Sequence, residues 1–254
     1  MNSVFKYIVC TLMAVLTVTC ILLAARTDRE GREGMECRHI VIRNESQQGQ
    51  RFMEDSDVLG HLQQHFGPLV GRKMKDIDLH RIEESFNRCS AILSSQVYAT
   101  RDSTLHIRLK ERIPVMRLQS RNGGFYVDAD GNIFPLQSHY TAWVPIIDGH
   151  LPVENWYHPS LPEKRWLEEM ISLIEYIQHS RTWANRCSRI YIDRGGRMIL
   201  SLDGLEESFI FGENKRIEEK FHKVEQYLTA VRPAVTDKKY KSVNVRFSGQ
   251  IICK

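Results

Sequence analysis

Residues 8–25 run for eighteen positions without a charged side chain. As a helix rising about 1.5 Å per residue, such a run spans about 27 Å, close to the roughly 30 Å hydrocarbon core of a bilayer. The pattern predicts a single transmembrane helix over 8–25, a short tail over 1–7 and a charged juxtamembrane linker over 26–36. Beyond the linker, apolar positions recur with the short periods of a folded body. Arg38-His39-Ile40-Val41-Ile42-Arg43 is rich in β-branched residues and predicts a strand that stops at Asn44. Val58, Leu59, Leu62 and Phe66 fall at helical spacing, with Asp55 or Ser56 as the expected N-cap and Gly67-Pro68 as the stop. Asp76 or Asp78 caps a second predicted helix with Leu79, Ile82 and Phe86 on its apolar face. Residues 91–98 turn extended, and Asp102-Ser103 turns the chain into an alternating strand over 105–109. The order over 37–112 is strand, helix, helix, strand, strand. Val41, Leu62, Phe66, Ile82, Phe86, Leu105 and Ile107 are its expected core.

After Pro114 the punctuation changes. Asn122-Gly123-Gly124, Asp130-Gly131, Asp193-Arg194-Gly195-Gly196 and Asp203-Gly204 are hairpin signals, because such pairs accept positive φ at little cost. They separate predicted strands at 115–118, 125–127, 132–135, 189–192, 198–202 and 208–211. Two helices interrupt them. Pro162 suits a first helical turn, and Trp166, Leu167, Met170, Ile171, Ile174 and Ile177 form one apolar stripe. Ile217, Phe221, Val224, Leu228 and Val231 form another, expected to stop at Pro233. A final strand is expected from 241 through 252. The fold class is therefore α+β: an N-terminal transmembrane helix, a β-α-α-β-β unit over 37–112, and a mixed β domain with two long helices over 113–254.

Charge leaves the orientation of the anchor open. Lys6 precedes the apolar run, and Arg26, Arg29 and Arg32 follow it, interleaved with Asp28, Glu30 and Glu33. A count of Lys and Arg alone would place the body in the cytoplasm, but long domains translocate largely regardless of charge. A cleavable signal ending near Leu23-Ala24-Ala25, and a lipoprotein acylated at Cys20, compete with a retained anchor. The run is longer than the 7–15 residues of a typical signal-peptide core, which favours retention.

Composition adds constraints. Charged residues make up 26% and apolar residues 42% of the chain, which is ordinary globular usage. The net charge of +4 is spread along the sequence, so no nucleic-acid footprint stands out. Of six cysteines, Cys10 and Cys20 lie in the apolar run, while Cys37, Cys89, Cys187 and Cys253 are widely separated. Those four allow up to two disulfides in an oxidising compartment, or stay as buried thiols. No C-x-x-C pair supports a thiolate metal site.

Candidate chemistry is sparse. His61 and His65 sit four apart on one predicted helix, but Leu62 stands where a zinc protease needs Glu, so surface histidines are the simpler reading. Asp128-Ala129-Asp130-Gly131-Asn132 lacks the spacing of a calcium loop and reads as a hairpin turn. No nucleophile elbow, Walker loop or dinucleotide fingerprint is present. Catalytic, cofactor and metal residues are expected to be none.

Three stretches carry a resemblance. Thr104-Leu105-His106-Ile107-Arg108-Leu109-Lys110-Glu111-Arg112-Ile113-Pro114-Val115 is followed by Phe125-Tyr126-Val127-Asp128-Ala129-Asp130-Gly131-Asn132-Ile133-Phe134, and the chain closes on Val243-Asn244-Val245-Arg246-Phe247-Ser248-Gly249-Gln250-Ile251-Ile252-Cys253. Together they resemble the FtsQ/DivIB family of bacterial cell-division proteins, and the closing stretch looks like that of a Bacteroides-like lineage. The chain departs from the family in its very short N-terminal tail and at Ala91-Ile92-Leu93, where many members carry a Pro-Trp-Val-like sequence. The resemblance implies a POTRA module over 37–112, an FtsQ-type β domain over 113–254, and a non-enzymatic scaffold in the cytoplasmic (inner) membrane. Its N-terminus would be cytoplasmic and its body periplasmic, at the division septum. It implies partners of the FtsB/FtsL kind, bitopic helices that would add by β-augmentation at a C-terminal edge strand. Tyr240, Lys241, Ser242, Val243, Asn244, Val245, Arg246 and Phe247 are the expected partner-binding residues. Val243, Val245 and Phe247 would face the core, and Lys238, Lys239, Lys241 and Arg246 would meet an acidic partner. Two other classes stay open: a POTRA-bearing envelope transport or assembly factor, and an anchored envelope enzyme with hidden carboxylates.

Overall fold

The computed structural model describes residues 13, 15–20, 34–45, 51–120, 123–137, 140–156, 158–235 and 240–254. Met13 and residues 15–20 are helical, and Thr19 Oγ1 donates to the Val15 and Leu16 carbonyls at 2.7 and 2.9 Å. Most of the expected anchor and linker lies outside the described residues, and no helix among those described is long and apolar enough to cross a membrane. The chain divides into two compact units, Met1–Glu111 and Arg112–Lys254.

The first unit is a three-stranded sheet with helices on one face. Its strands are β1 (His39–Asn44), β2 (Ile92–Ala99) and β3 (Thr104–Glu111), in the order β1-β3-β2. β1 runs parallel to β3, with Ile40 opposite Leu105 and Ile42 opposite Ile107. Strand neighbours share a face, so Ile40 and Ile42 join the core while the expected core residue Val41 lies beside His106 on the other side. The sequence pattern offers three consecutive apolar residues, and only the register decides which pair is inside.

Helix α1 (Asp55–Phe66) begins one residue earlier than its expected caps. Glu54 is the N-cap, and its carboxylate and that of Asp57 each accept the other's backbone amide in a reciprocal box. Asp78 caps α2 (Leu79–Asn87) by accepting from the Arg81 amide at 3.0 Å. Val58, Leu62, Ile82, Phe86, Leu105 and Ile107 are buried together, Phe66 packs against them half-buried, and Leu59 is exposed. Ser95 sits on the helix side of β2 and donates through Oγ to the Glu83 carbonyl at 3.0 Å. Its amide and that of Val97 bind the side chains of Asn87 and Glu83 at 2.9 and 3.0 Å. Helix α2 therefore covers the outer edge of β2.

The second unit is a nine-stranded mixed sheet. Its strands are β4 (Pro114–Ser120), β5 (Gly123–Asp128), β6 (Ile133–Pro135), β7 (Ile146–Gly149), β8 (Cys187–Ile192), β9 (Met198–Leu202), β10 (Ser208–Gly212), β11 (Ser242–Asn244) and β12 (Ile252–Cys253). The order is β12-β11-β10-β9-β8-β7-β4-β5-β6. The expected turns at Asp130-Gly131, Asp193-Arg194-Gly195-Gly196 and Asp203-Gly204 form, with Gly131, Gly196 and Gly204 at positive φ, while Asn122 lies outside the described residues. β7 was not expected from the sequence. It is short, and it is held by parallel pairing to β4 on one side and β8 on the other.

Helix α3 (Leu161–His179) connects β7 to β8, and α4 (Ile217–Gln226) lies between β10 and β11; both connections join parallel neighbours. The antiparallel pairs β8/β9 and β9/β10 make β10 parallel to β7. Both crossovers thus start in the same direction and step the same way, and right-handedness puts both helices on one face. One core joins them: Leu167, Met170, Ile174 and Ile177 of α3 with Phe221 and Val224 of α4, over Ile190, Leu200 and Phe209. Pro233 does not stop the second helix as expected. Tyr227–Val231 forms a wider π-helical turn that leads into a last helical turn, Arg232–Ala234.

The Glu111-Arg112 and Tyr126-Val127-Asp128 motifs have structural roles. Glu111 is buried at the end of β3, where it accepts from Asn44 Nδ2 at 2.7 Å and from the Phe52 and Met53 amides at 2.8 and 2.9 Å. Asp128 accepts from Arg112 Nη1 at 2.8 Å and from the Asn132 and Asp130 amides at 2.8 and 3.1 Å, which shapes the β5–β6 turn. The four cysteines of the body are free thiols, with Cys37 and Cys187 buried. Burial pushes the Cys187 thiol up to about 12, which keeps it protonated and unreactive.

Phe86 is fully buried. Phe86→Ala is expected to destabilise the first unit by about 3–5 kcal/mol, as for other buried aromatic truncations. Urea unfolding of the variant, set against wild type, measures it.

Candidate partner-binding edge

The expected edge strand is not the edge. Ser242 and Asn244 of β11 pair on one side with Ser208 and Ile210 of β10, and Asn244 pairs on the other with Ile252 of β12. The run expected to be one strand turns back on itself at Ser248-Gly249, where Gly249 takes φ +68°. The edge passes to β12. The alternation holds in part: Val243 and Val245 are fully buried, but Phe247 is 38% exposed. Tyr240 packs half-buried on the core, and Lys241 is exposed. The Arg246 guanidinium lies over the Phe247 ring, 4.4 Å from its centroid. Lys238 and Lys239 lie outside the described residues.

The bonding of β12 follows from its register. Ser242 and Lys254 exchange both backbone bonds, at 3.1 and 3.0 Å. In an antiparallel ladder bonded pairs alternate with unbonded ones, so Asn244 and Ile252 form the next bonded pair. The amides and carbonyls of Ile251 and Cys253 then point to the open side of the sheet. At the opposite edge, Asp128 donates to the Asn132 carbonyl at 3.1 Å, which makes Tyr126 and Phe134 the next bonded pair. Ile133 and Pro135 point outward there, and Pro135 has no N–H to offer. Of the two edges of this sheet, β12 is the one with an unbroken set of outward donors.

Helix α4 holds the segment that leads into β12. Lys223 Nζ donates to the Phe247 carbonyl at 2.6 Å and pairs with Glu219 Oε1 at 2.8 Å. Ser248 Oγ donates to the same carboxylate oxygen at 3.1 Å, and Arg216 Nη2 reaches the Arg246 carbonyl at 3.3 Å. These bonds, chiefly that from Lys223, hold the Glu219 carboxyl below its ordinary range. Gly212 takes φ +71°, and a Cβ there would fall 2.7 Å from Arg246 Cδ, so a glycine is what lets Arg246 lie across this strand end. Beneath the sheet, Glu207 accepts from the Tyr227 hydroxyl at 3.1 Å and from Arg232 Nε at 2.9 Å. Burial and the Glu207 contact push the Tyr227 hydroxyl up to about 12. Sequence reading missed Lys220, Lys223 and Glu207: ordinary charged residues on an amphipathic helix and at a turn, with nothing in the sequence to mark them as buried.

The histidine pair does not converge with further ligands. The His61 and His65 rings stand 4.4 Å apart, and His61 Nε2 meets Ser85 Oγ at 3.1 Å. Among the described residues no group of three or more His, Cys, Asp or Glu is placed to hold a metal.

A helix-backed three-stranded unit and a nine-stranded mixed sheet with β12 at one edge define an α+β protein of two units. The comparisons specify the family. Residues 113–254 match the family model described as FtsQ/DivIB, C-terminal related, and residues 35–110 match that of a POTRA-like domain. The first match covers more than half of the chain, which belongs to the FtsQ/DivIB family. Membership points to a cell-division scaffold. No curated protein matches the chain.

Lys220 is almost fully buried and donates to the Glu213 carbonyl at 2.6 Å. Burial first, then the Arg216 charge, pull its ammonium from 10.5 down to about 8. Between those values the unfolded chain binds more protons, so this residue adds stability as pH rises. The stability of wild type relative to Lys220→Met should therefore increase from about pH 8 to 10, measured by urea midpoints at matched pH.

Proposed function

We propose that this protein is a membrane-anchored, non-catalytic scaffold of bacterial cell division. In this reading it recruits bitopic partners of the FtsB/FtsL kind by strand addition at β12 and links them to septal peptidoglycan synthesis. The observation that carries the proposal is the outward backbone of Ile251 and Cys253 on the C-terminal strand of an FtsQ/DivIB-family domain. Main-chain bonds would supply affinity, and the side chains flanking the edge would supply selectivity. Lys241, exposed beside β12, and Arg246 are suited to an acidic partner segment. The eighteen-residue uncharged run is the anchor in this reading, with the N-terminus in the cytoplasm and the body outside the inner membrane at the septum.

The test of the edge uses two prolines. Cys253→Pro removes an outward donor and should lower recovery of the partner by at least about tenfold in a pull-down, with thermal unfolding unchanged. Asn244→Pro strikes a strand paired on both sides and should instead lower the unfolding temperature. Full partner recovery by folded Cys253→Pro would exclude β12.

The anchor is tested separately. Protease added to spheroplasts should digest the body, and purified protein should retain its N-terminus. A mature product beginning near Arg26 would show cleavage instead. Depletion should give filaments, whereas outer-membrane defects without filamentation would favour an assembly factor.

A further inference from the structure

Trp143 is 87% exposed, more than any other large apolar residue described. Its loop is not slack. The Ala142 amide donates to the buried Tyr126 hydroxyl at 2.9 Å, the Val144 amide to the Ala142 carbonyl at 3.1 Å, and the Arg117 amide to the Pro145 carbonyl at 2.9 Å. The backbone on both sides of the indole is fixed, and the ring is held in water. Exposed aromatics on ordered backbone are the residues that most often anchor interfaces.

Beside the indole lies a cavity of about 460 Å³, where β7 and β8 begin and α3 ends. Its volume falls within the range of sites that bind small ligands or single side chains. Trp143, Pro145 and Ile146 form an apolar wall, and Arg117 lines the same side. Arg117 Nη2 is held by Gln119 Oε1 at 2.7 Å, so the guanidinium is oriented. Its Nε is buried with no hydrogen-bond partner in the protein. That nitrogen is closed off from the cavity, so only the rest of the guanidinium is open to a ligand. Gln178 and Asn185 add amide groups of the kind that bond a peptide backbone.

We infer that this cavity docks an extended peptide segment from a partner protein, carrying an aromatic or large aliphatic side chain next to a carboxylate. The apolar side chain packs against Trp143 and Ile146, and the carboxylate accepts from the part of the Arg117 guanidinium that lines the cavity. Asp203 lines the far side, three strand spacings from Arg117 or roughly 14 Å, the length of about four extended residues. An acidic group is therefore accepted at one end of the cavity and repelled at the other, which sets the direction of the segment. The site runs from β4 to the end of β9, includes neither β11 nor β12, and is independent of strand addition there.

The probes are two capped peptides, acetyl-Gly-Glu-Phe-Leu-Gly-amide and its Lys-for-Glu counterpart. They are titrated onto full-length protein in phosphatidylcholine nanodiscs and followed by the indole N–H resonances. The Glu peptide should move the Trp143 signal and bind at least about tenfold more tightly than the Lys peptide, as a charge-assisted contact requires. Trp143→Ala should weaken it, and Arg117→Met should erase the preference. Arg117→Lys keeps the charge and serves as the folding control, while Cys253→Pro should leave peptide binding unchanged. An unmoved Trp143 signal, or equal binding of the two peptides, overturns the proposal. Quenching of Trp143 by brominated lipid, absent in Trp143→Phe, would assign the indole to the membrane and overturn it as well.

Discussion

The second unit depends on the handedness of its two crossovers. β7 and β10 point the same way, and each is followed by a connection that steps to the neighbouring parallel strand on the same side. Because such connections are right-handed, α3 and α4 must lie on one face, where their apolar stripes form a single core. Among the described residues of this unit, no helix of eight or more residues lies on the other face. Arg117, Ile146, Arg189 and Ser201 lie in register across it, and Asp148 pairs with Arg189 at 2.5 Å.

The protein treats its sheet edges differently. The outer side of β2 is closed by Asn87 and Glu83 of α2. β6 is only three residues long and ends in Pro135, which has no donor. Short strands and prolines are common ways to prevent uncontrolled pairing. β12 is shorter still, but its outward positions keep their donors, and Lys223, Glu219 and Arg216 hold the segment before it in place. Holding that segment in advance lowers the ordering cost a partner strand would meet.

In two of the stretches that carry the family resemblance, buried carboxylates anchor the local structure. Glu111 satisfies donors at the end of β1 and before α1, and Asp128 builds the turn after β5 while pairing with Arg112. Buried carboxylates with several donors tolerate little substitution, because removing one leaves its partners unsatisfied.

Periodicity and turn residues alone located α1, α2 and α3, the turns at Asp130-Gly131, Asp193-Arg194-Gly195-Gly196 and Asp203-Gly204, and most of both cores, because each depends on residues within a few positions of one another. The alternation of Val243 and Val245 likewise announced their burial. Contacts between distant residues settled the rest. Val41 is outside the core because β1 pairs with β3 in one register and not the next. β7 exists because β4 and β8 flank it, although its four residues carry only two apolar side chains. The edge is β12 rather than β11 because the chain reverses at Gly249 and returns to cover the strand that its pattern had marked as last. Lys223 and Arg117 are ordinary charges in the sequence, and each gains its meaning from the carbonyls, amides and walls that the fold assembles around it. Sequence fixes local conformation through short-range sterics and apolar spacing. Which backbone groups stay unpaired is a property of the finished sheet, and only the tertiary structure decides it.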